Sequence, residues 1–308
     1  MNFPRIVFLG TPDFAVASLE ALADFGYNIV AVVTAPDKPA GRGLKLSESA
    51  VKQFSVSRGL PVLQPLKLKD PAFLKELSDY RADLQVVVAF RMLPEMVWSM
   101  PKMGTINLHA SLLPEYRGAA PINRVIMNGE HMTGLTTFKL QQEIDTGNIL
   151  LSEKMSIDED ETAGELHDRM KMAGARLLVK TVEGLVNGSL QEKPQEKMES
   201  GILKTAPKLF TEDSEIHWTK PVSVIYNQIR GLSPFPGAFT RFQGKSMKIF
   251  RAKKEAAIND KEPGLMETDG KSWIRYSAPD GYIYIDEMQL EGKKRMKTTD
   301  FLRGYRPG

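Results

Sequence analysis

The chain has 308 residues, of which 42% are hydrophobic and 26% charged, a composition typical of globular proteins. This length favours two domains, each large enough to bury a hydrophobic core. Because the chain contains no cysteine and its four histidines are scattered, disulfides and thiol chemistry are excluded, and we expect no zinc site.

The N-terminal residues predict a strand, a helix and a second strand. Arg5–Gly10 is an apolar strand, a helix runs from Pro12-Asp13 to Gly26, and Ile29–Val33 is the next strand. This order predicts a right-handed parallel crossover, the unit of a doubly wound α/β sheet. Gly10 and Pro12 interrupt the first apolar run, so we interpret it as a buried strand rather than a signal peptide and expect a cytoplasmic protein.

The dinucleotide-binding fingerprint is missing after the first strand. Gly10 precedes Thr-Pro-Asp-Phe, and Gly41-Arg42-Gly43 lacks the third glycine because Leu46 stands in its place. A nicotinamide-dependent oxidoreductase is therefore the least supported function.

Residues 35–47 predict a long loop that is rich in proline, glycine and positive charge. Its cations are Lys38, Arg42 and Lys45. Loops of this length are either functional or simply flexible. The cations suit contacts with a phosphate backbone, and a solvated loop without a partner is the alternative.

Two strands in the middle of the first domain lead to candidate site residues. Leu84–Phe90 predicts a central strand, and Arg91–Pro94 leaves the carboxyl end, where α/β sheets bind ligands. In Thr105–His109 apolar and polar residues alternate, so Asn107 and His109 project to the same side of a strand. An amide donor and a titratable ring at a strand end suit catalysis, and a hydrogen-bonded polar pair is the plain structural alternative.

The later segments predict one more α/β part, a linker and a β-rich part. We expect a helix at 119–128, strands at 134–140 and 149–151, and a long amphipathic helix from Thr162 to Asn187-Gly188. Residues 189–207, rich in polar residues, predict a linker. A helix at 222–232 is followed by short runs that predict a small β-barrel, at 238–242, 246–251, 272–277 and 281–286.

Positive charge is concentrated in the last third of the chain. Residues 207–308 contain 18 Lys and Arg against 13 Asp and Glu, a net +5, whereas residues 1–206 contain 23 against 25, a net −2. A basic second domain is compatible with a polyanionic partner such as RNA, and equally with a solvated basic surface.

The stretch from Asn107 to Pro121 resembles the folate-dependent formyltransferases. It contains Asn107-Leu108-His109, Ser111-Leu112-Leu113-Pro114 and Arg117-Gly118-Ala119-Ala120-Pro121, and Asp145-Thr146-Gly147 follows. The resemblance covers nearly the whole chain. Its other matches are Phe8–Phe14, Pro36–Gly43, Ala206-Pro207-Lys208, Ile216-His217-Trp218, Ile229-Arg230, Ser233–Thr240, Leu290–Lys294 and Asp300–Leu302.

This resemblance implies a two-domain fold and a formyl transfer reaction. The fold would be an N-terminal doubly wound, Rossmann-like formyltransferase domain at 1–188, a linker at 189–207 and a C-terminal OB-like β-barrel at 208–308. The first domain would bind 10-formyltetrahydrofolate, and the basic barrel would hold tRNA. The basic loop and the second domain single out the members that formylate methionyl-initiator tRNA.

Three residues meet the chemical needs of formyl transfer to an amine. We assign Asn107 as the donor to the oxyanion and His109 as the group that transfers protons. Asp145 would orient His109, favour its protonated form and accept charge from the incoming ammonium. The sequence does not show that Asp145 meets His109, and without the resemblance Asp145 is only a turn aspartate.

The resemblance also assigns binding residues. Phe90, Arg91, Met92 and Leu93 would form a backbone wall beside the pterin, and Ser111, Leu112, Leu113 and Pro114 would line the folate site. Family members often have Tyr-Gly where this chain has Phe90-Arg91, so folate affinity is an open question there. The tRNA-binding residues would be Arg42 and Lys38 in the basic loop and Lys208 after the linker.

Two other functions remain open on the sequence. One is the same reaction on a small amine, such as glycinamide ribonucleotide or a nucleotide sugar, which has no need of the basic loop or the second domain. The other is a non-catalytic RNA-binding protein with a vestigial α/β domain. For the leading function we expect a monomer that binds methionyl-initiator tRNA and tetrahydrofolate and does not associate with membranes.

Overall fold

The computed structural model describes residues 3–40, 45–195 and 203–304. Within them the chain forms two compact units that interleave in sequence. The first unit comprises residues 1–117, 134–155 and 168–204, and the second comprises 118–133, 156–167 and 205–308.

Helices and strands alternate through the first half of the chain, and strands dominate the end. The helices are α1 (Asp13–Asp24), α2 (Ala50–Ser57), α3 (Pro71–Asp79), α4 (Glu95–Trp98), α5 (Pro121–Met127), α6 (Ala163–Val186), α7 (Val222–Gly231) and α8 (Thr298–Gly304). The strands are β1 (Arg5–Gly10), β2 (Asn28–Val33), β3 (Lys38–Ala40), β4 (Lys45–Ser47), β5 (Val62–Leu63), β6 (Leu84–Val88), β7 (Thr105–His109), β8 (Arg117–Gly118), β9 (Met132–Lys139), β10 (Ile149–Ser156), β11 (Thr205–Ala206), β12 (Ala238–Phe242), β13 (Lys245–Ala256), β14 (Met266–Thr268), β15 (Ile274–Ala278), β16 (Gly281–Leu290) and β17 (Met296–Lys297).

A seven-stranded sheet forms the first unit, in the order β10-β9-β7-β6-β1-β2-β5. The pairs β1–β2, β1–β6, β2–β5 and β6–β7 are parallel, and β7–β9 is antiparallel. Ile6, Val7, Phe8 and Leu9 of β1 are fully buried, as a parallel sheet covered on both faces requires. This sheet confirms the predicted doubly wound α/β fold.

The strand Thr105–His109 is confirmed and lies beside β6 in parallel. Val87 is the partner of Asn107 in this register, so β6 and β7 end at the same edge of the sheet. The stretches that follow them, from Phe90 and from Ser111, therefore start from neighbouring points. This is the edge where ligands bind in open α/β sheets.

The basic segment 35–47 is only partly the loop that we expected. Lys38–Ala40 and Lys45–Ser47 pair as two short antiparallel strands, which satisfies backbone groups that an open loop would leave to water. Asp37, just before β3, is anchored because it accepts hydrogen bonds from Lys52 and from Gln64, the latter at 2.8 Å. Residues 41–44, which include Arg42, lie outside the described residues.

The long amphipathic helix α6 is confirmed, and its start is fixed by a capping box. The Oε2 atom of Glu165 accepts hydrogen bonds from the Thr162 backbone N–H at 2.9 Å and from its hydroxyl at 2.7 Å. The Thr162 hydroxyl in turn accepts from the Glu165 N–H at 3.3 Å. Two N–H groups that have no partner within the helix are satisfied in this way.

The second unit contains an antiparallel sheet in the order β12-β13-β16-β15-β14, and β17 also pairs with β16. Register shifts in β13 near Arg251 let the sheet curl. The core under it includes Ile225 and Ile229 of α7 together with Ile249, Ile283 and Ile285 of the strands. This curled sheet agrees with the predicted OB-like barrel.

Among the described residues, no helix combines the length and the apolar character that crossing a membrane requires.

Candidate active site

Asn107 projects from the middle of β7 at the centre of the first unit. Its neighbours across the sheet are Val87 on β6 and Phe138 on β9. The residue is half-buried, and its carboxamide makes no hydrogen bond to any other described residue. A donor in this position is available to a ligand oxygen.

His109 ends the same strand and is almost completely buried, with 6% of its surface exposed. Its Nε2 atom lies 2.9 Å from the carbonyl oxygen of Tyr116. Since a carbonyl oxygen only accepts, Nε2 carries the hydrogen and donates it. The other ring nitrogen, Nδ1, lies 3.8 Å from the carboxylate Oδ2 of Asp145.

The resemblance implies that Asp145 meets His109, and the fold brings these two side chains together. Asp145 follows β9 in a loop and has a left-handed backbone with φ +54°. Its side chain is 13% exposed. Two residues on, Gly147 approaches the chain so closely that an added Cβ would lie 1.6 Å from the carbonyl oxygen of Lys139.

The turn after His109 is fixed onto strand β9. The hydroxyl of Thr136 donates to the Ser111 carbonyl at 2.7 Å and accepts from the Leu113 N–H at 3.1 Å. The hydroxyl of Ser111 donates to the Glu115 carbonyl at 2.6 Å, and Ser111 is fully buried. The side chain of Ser111 therefore shapes the turn, whereas Leu112 and Pro114 are half-buried and closer to the surface.

Three residues at the site were not assigned to it from the sequence, although Arg117 belongs to the stretch that carries the resemblance. Tyr116 contributes only its carbonyl oxygen, and its own N–H donates to the Lys204 carbonyl at 2.6 Å. Arg117 donates to Gln195 Oε1, from Nε at 3.2 Å. Gln195 Nε2 donates to the carbonyl oxygens of Asp145 and Gly147, both at 2.8 Å. No local sequence signal marks a backbone acceptor or a glutamine 50 residues from its partner, so pattern analysis had no means of finding them.

The expected pterin wall, Phe90–Leu93, follows the carboxyl end of β6. Leu93 is buried, while Met92 is 73% exposed. Arg91 lies over the Phe90 ring and donates to the carbonyl oxygens of Leu66, at 3.0 Å, and Pro65. Burial lowers the pKa of Arg91.

Two of the three cations expected to bind tRNA fall on described residues. Lys38 lies exposed on β3 of the first unit. Lys208 is exposed in the second unit, with Nζ 5.8 Å from the centre of the Phe210 ring. Arg42 belongs to the segment that is not described.

The second unit has an open groove with a volume of about 850 Å³. Trp273 and Tyr284 form part of its lining, with ring centres 6.0 Å apart. Arg275 contacts both aromatic residues, since it donates to the Tyr284 hydroxyl at 2.8 Å and its guanidinium lies 5.3 Å from the Trp273 ring centre. Four cations and three carboxylates also line this groove: Arg251, Lys253, Lys254, Lys297, Glu255, Asp286 and Glu287.

Comparisons with known proteins match both parts of the chain. Residues 4–182 match the family model described as formyl transferase, and residues 208–306 match the model of the formyl transferase C-terminal domain. The methionyl-tRNA formyltransferase of Parabacteroides distasonis is 52% identical over 310 residues, which cover 98% of this chain and 96% of that protein. That of Bacteroides fragilis is 48% identical over 307 residues, covering 98% of this chain and 95% of the relative.

Solved structures show the same fold at low identity. An N-formyltransferase from Helicobacter canadensis, in complex with folinic acid and dTDP-3-aminofucose, has a TM-score of 0.68 and 19% identity, covering 96% of this chain and 100% of that one. HypX from Aquifex aeolicus, in complex with tetrahydrofolic acid, has a TM-score of 0.65 and 18% identity, covering 98% of this chain and 47% of that one. The two family models and the close relatives extend over nearly all of the residues that suggested the resemblance, and the chain belongs to the formyl transferase family.

Proposed function

We propose that the protein transfers a formyl group from 10-formyltetrahydrofolate to the amino group of methionyl-initiator tRNA. The observation that carries this proposal is the 48–52% identity to methionyl-tRNA formyltransferases over 98% of the chain, including the basic second domain. The fold alone does not decide the acceptor, because the Helicobacter canadensis N-formyltransferase solved with dTDP-3-aminofucose covers 96% of this chain.

The donor would bind at the carboxyl edge of the sheet in the first unit. Phe90–Leu93 after β6 would present backbone groups to the pterin, and Leu112–Pro114 after β7 would cover its other side. The parallel register of β6 and β7 supports this arrangement, because it starts both stretches from neighbouring points. Ser111, whose hydroxyl is already bonded, would act through the shape of the turn.

Asn107 would stabilise the oxyanion that forms in the reaction. The acceptor amine attacks the formyl carbon. A new C–N bond forms between these two atoms, and the carbonyl electrons move onto the formyl oxygen. A neutral carboxamide donor that has no other partner among the described residues is suited to that developing charge. The intermediate then collapses, and the bond between the formyl carbon and N10 of the folate breaks.

His109 and Asp145 would move the proton that the amine loses. The Tyr116 carbonyl occupies Nε2, so Nδ1 is the nitrogen that accepts this proton and then gives it to the departing folate nitrogen. At 3.8 Å, Nδ1 and the Asp145 carboxylate are too far apart for a direct hydrogen bond. The acceptor amine or a water molecule can therefore lie between Nδ1 and the carboxylate and form a hydrogen bond with each. The negative carboxylate also stabilises the positive charge that the imidazole gains with the proton.

The acceptor tRNA would be held by cations of both units. We infer roles for Lys38 and Arg42 in the basic segment and for Lys208 near the start of the second domain. The groove around Trp273 and Tyr284 supports tRNA binding to the barrel, because aromatic faces stack on bases and neighbouring lysines attract phosphates.

We further infer the domain boundaries and the setting in which the protein acts. Along the sequence the domains would be 1–188 and 208–308, joined by the linker 189–207, part of which lies outside the described residues. Residues 118–133 and 156–167 of the first domain pack within the second compact unit. The protein would act in the cytoplasm as a monomer. Light scattering should give the mass of one 308-residue chain.

The first experiment measures formyl transfer from 10-formyltetrahydrofolate to methionylated initiator tRNA, methionylated elongator tRNA and glycinamide ribonucleotide. We expect formylation of the initiator alone, and an Asn107→Ala variant should lose about 10²–10³-fold in kcat. Formylation of only the small amine would overturn the tRNA assignment. Tight tRNA binding without any formyl transfer would indicate the RNA-binding alternative.

A further inference from the structure

The segment 190–195, here named the strap, was expected to be part of a simple linker, but it is bound to the catalytic loop. We propose that Gln195 of the strap is a positioning residue for formyl transfer, which holds the Asp145 loop in place against His109. This inference rests on the proposed function, because it assumes that His109 and Asp145 act on the formyl group.

The side-chain amide of Gln195 forms hydrogen bonds with two segments, the backbone of the Asp145 loop and the side chain of Arg117. Its amide nitrogen donates to the carbonyl oxygens of Asp145 and Gly147, and its amide oxygen accepts from Arg117. An amide has two N–H donors, and each finds one loop carbonyl at 2.8 Å. The loop is therefore held at two points, on either side of Thr146.

These two segments contact opposite nitrogens of the same imidazole. Arg117 directly follows Tyr116, whose carbonyl accepts from Nε2 of His109. Asp145 faces Nδ1 of the same ring. Gln195 thus connects the partner on one side of His109 with the partner on the other side, and it does so without contacting the ring itself.

The rest of the strap supports the position of Gln195. Lys193 and Ile149 exchange both backbone hydrogen bonds, at 2.7 and 2.9 Å. The carboxylate of Glu192 pairs with Lys139 and accepts from Asn148 at 3.1 Å. These contacts lie just before and just after the Asp145 loop. The strap is therefore bound to both ends of the loop, and Gln195 binds its middle.

The exposure and the backbone strain of the loop make such support important. Residues 141–144 are exposed, and Asp145 has a left-handed backbone, which costs free energy in a non-glycine residue. A catalytic group displaced by about 1 Å can lose about 100-fold in rate. Removing the two loop contacts of Gln195 should therefore lower kcat more than it weakens substrate binding.

The experiment compares three variants in the full-length protein. In Gln195→Ala all three contacts are lost, and kcat should fall about 10- to 100-fold while KM for 10-formyltetrahydrofolate stays within about twofold. Gln195→Glu keeps an acceptor for Arg117 but turns a carboxylate oxygen toward the two carbonyls, so it should lose at least as much. Gln191→Ala removes an exposed glutamine of the same strap and is the matched control, with unchanged kcat.

A second measurement separates positioning from general damage. The protein has four histidines, so nitrogen NMR of histidine-labelled protein gives few signals, and a His109→Ala variant assigns the one from the site. We expect Gln195→Ala to shift the His109 signals and to leave those of His131, His167 and His217 in place. Shifts at all four histidines would overturn the proposal, and so would an activity of Gln195→Ala equal to that of the parent.

The failure of this inference is distinguishable from that of the proposed function. If Asp145→Ala abolishes transfer but Gln195→Ala is silent, the strap plays no part and the catalytic assignment stands. If Asp145→Ala keeps full activity, the catalytic assignment itself is wrong and the inference falls with it.

Discussion

Both residues that face the His109 imidazole have left-handed backbones, with φ +58° at Tyr116 and φ +54° at Asp145. Each such conformation in a non-glycine residue costs about 1–3 kcal/mol and persists only where its surroundings fix it. Tyr116 is 5% exposed, and its backbone N–H donates to the Lys204 carbonyl. The Asp145 carbonyl is held by Gln195. Packing and hydrogen bonds thus offset the backbone strain at Tyr116 and Asp145, the two residues that face the His109 ring.

Gly147 sets the path of the Asp145 loop, and replacing it should damage catalysis. In Gly147→Ala the new methyl group would meet the Lys139 carbonyl, so the backbone must move and Asp145 moves with it. We expect a loss of about 10- to 100-fold in kcat, measured by single-turnover formyl transfer. Gly304→Ala, which meets no atom within 4 Å, is the control. Parent-like kcat in Gly147→Ala would mean that the position of Asp145 is not critical.

At the scale of elements, Arg91 joins the loops that follow two parallel strands. Its guanidinium, leaving the end of β6, donates to the Pro65 and Leu66 carbonyls just beyond β5. In Arg91→Ala the segment Phe90–Leu93, proposed above to lie beside the pterin, loses these hydrogen bonds, at about 0.5–1.5 kcal/mol for each one. We expect KM for 10-formyltetrahydrofolate to rise about 3- to 10-fold with little change in kcat. Lys69→Ala is the control, and a parent-like KM in Arg91→Ala would show that these hydrogen bonds are dispensable.

The capping box of α6 should make stability depend on pH. Burial would raise the pKa of Glu165, but hydrogen bonds from Thr162 and Arg251 outweigh it and hold the pKa below its usual range. Near pH 4 the unfolded chain therefore binds more protons at this residue than the folded chain does, so stability is lost as the pH falls. Glu165→Gln keeps the capping acceptor but does not titrate.

The difference in free energy of unfolding between parent and Glu165→Gln should accordingly be largest near pH 7 and shrink below about pH 4.3. Urea unfolding at a series of pH values measures it. Glu76→Gln, on the exposed side of α3 and without an ion pair among the described residues, is the control. A difference that stays constant down to pH 3 would contradict the assignment.

Side-chain periodicity predicted the elements that bury one face and missed what backbone pairing adds. Thr105–His109 was predictable because its apolar and polar residues alternate. The run predicted at 246–251 is in fact Lys245–Ala256, and its last four residues are exposed. They remain in the strand because they pair with Gly281–Tyr284 of β16, a contact that leaves no apolar pattern in the sequence. The antiparallel pairing of Lys38–Ala40 with Lys45–Ser47 escaped prediction for the same reason.

At the scale of the whole molecule, the second unit includes segments from the middle of the chain. Within it, Arg124 of α5 pairs with Asp213 at 3.0 Å, and Asn123 donates to the Gly231 carbonyl at 2.7 Å. Contacts over such sequence distances cannot be inferred from local pattern. They also mean that a truncation at residue 207 would leave 118–133 without its partners, so tRNA binding is better tested by single substitutions.

The groove of the second unit offers two kinds of contact with tRNA, between lysines and phosphates and between Trp273 and bases, and only the first kind weakens strongly as the salt concentration rises. If Lys253 and Lys297 meet phosphates, tRNA affinity falls as salt rises, and Lys253→Ser or Lys297→Ser should each reduce the slope of log K against log salt by about 1. Trp273→Ala should instead lose about 1–3 kcal/mol of stacking and keep the parent slope. Lys75→Ser, an exposed lysine of α3, is the control. Parent-like affinity and slope in all three groove variants would indicate that the tRNA does not bind in this groove but on another face of the barrel.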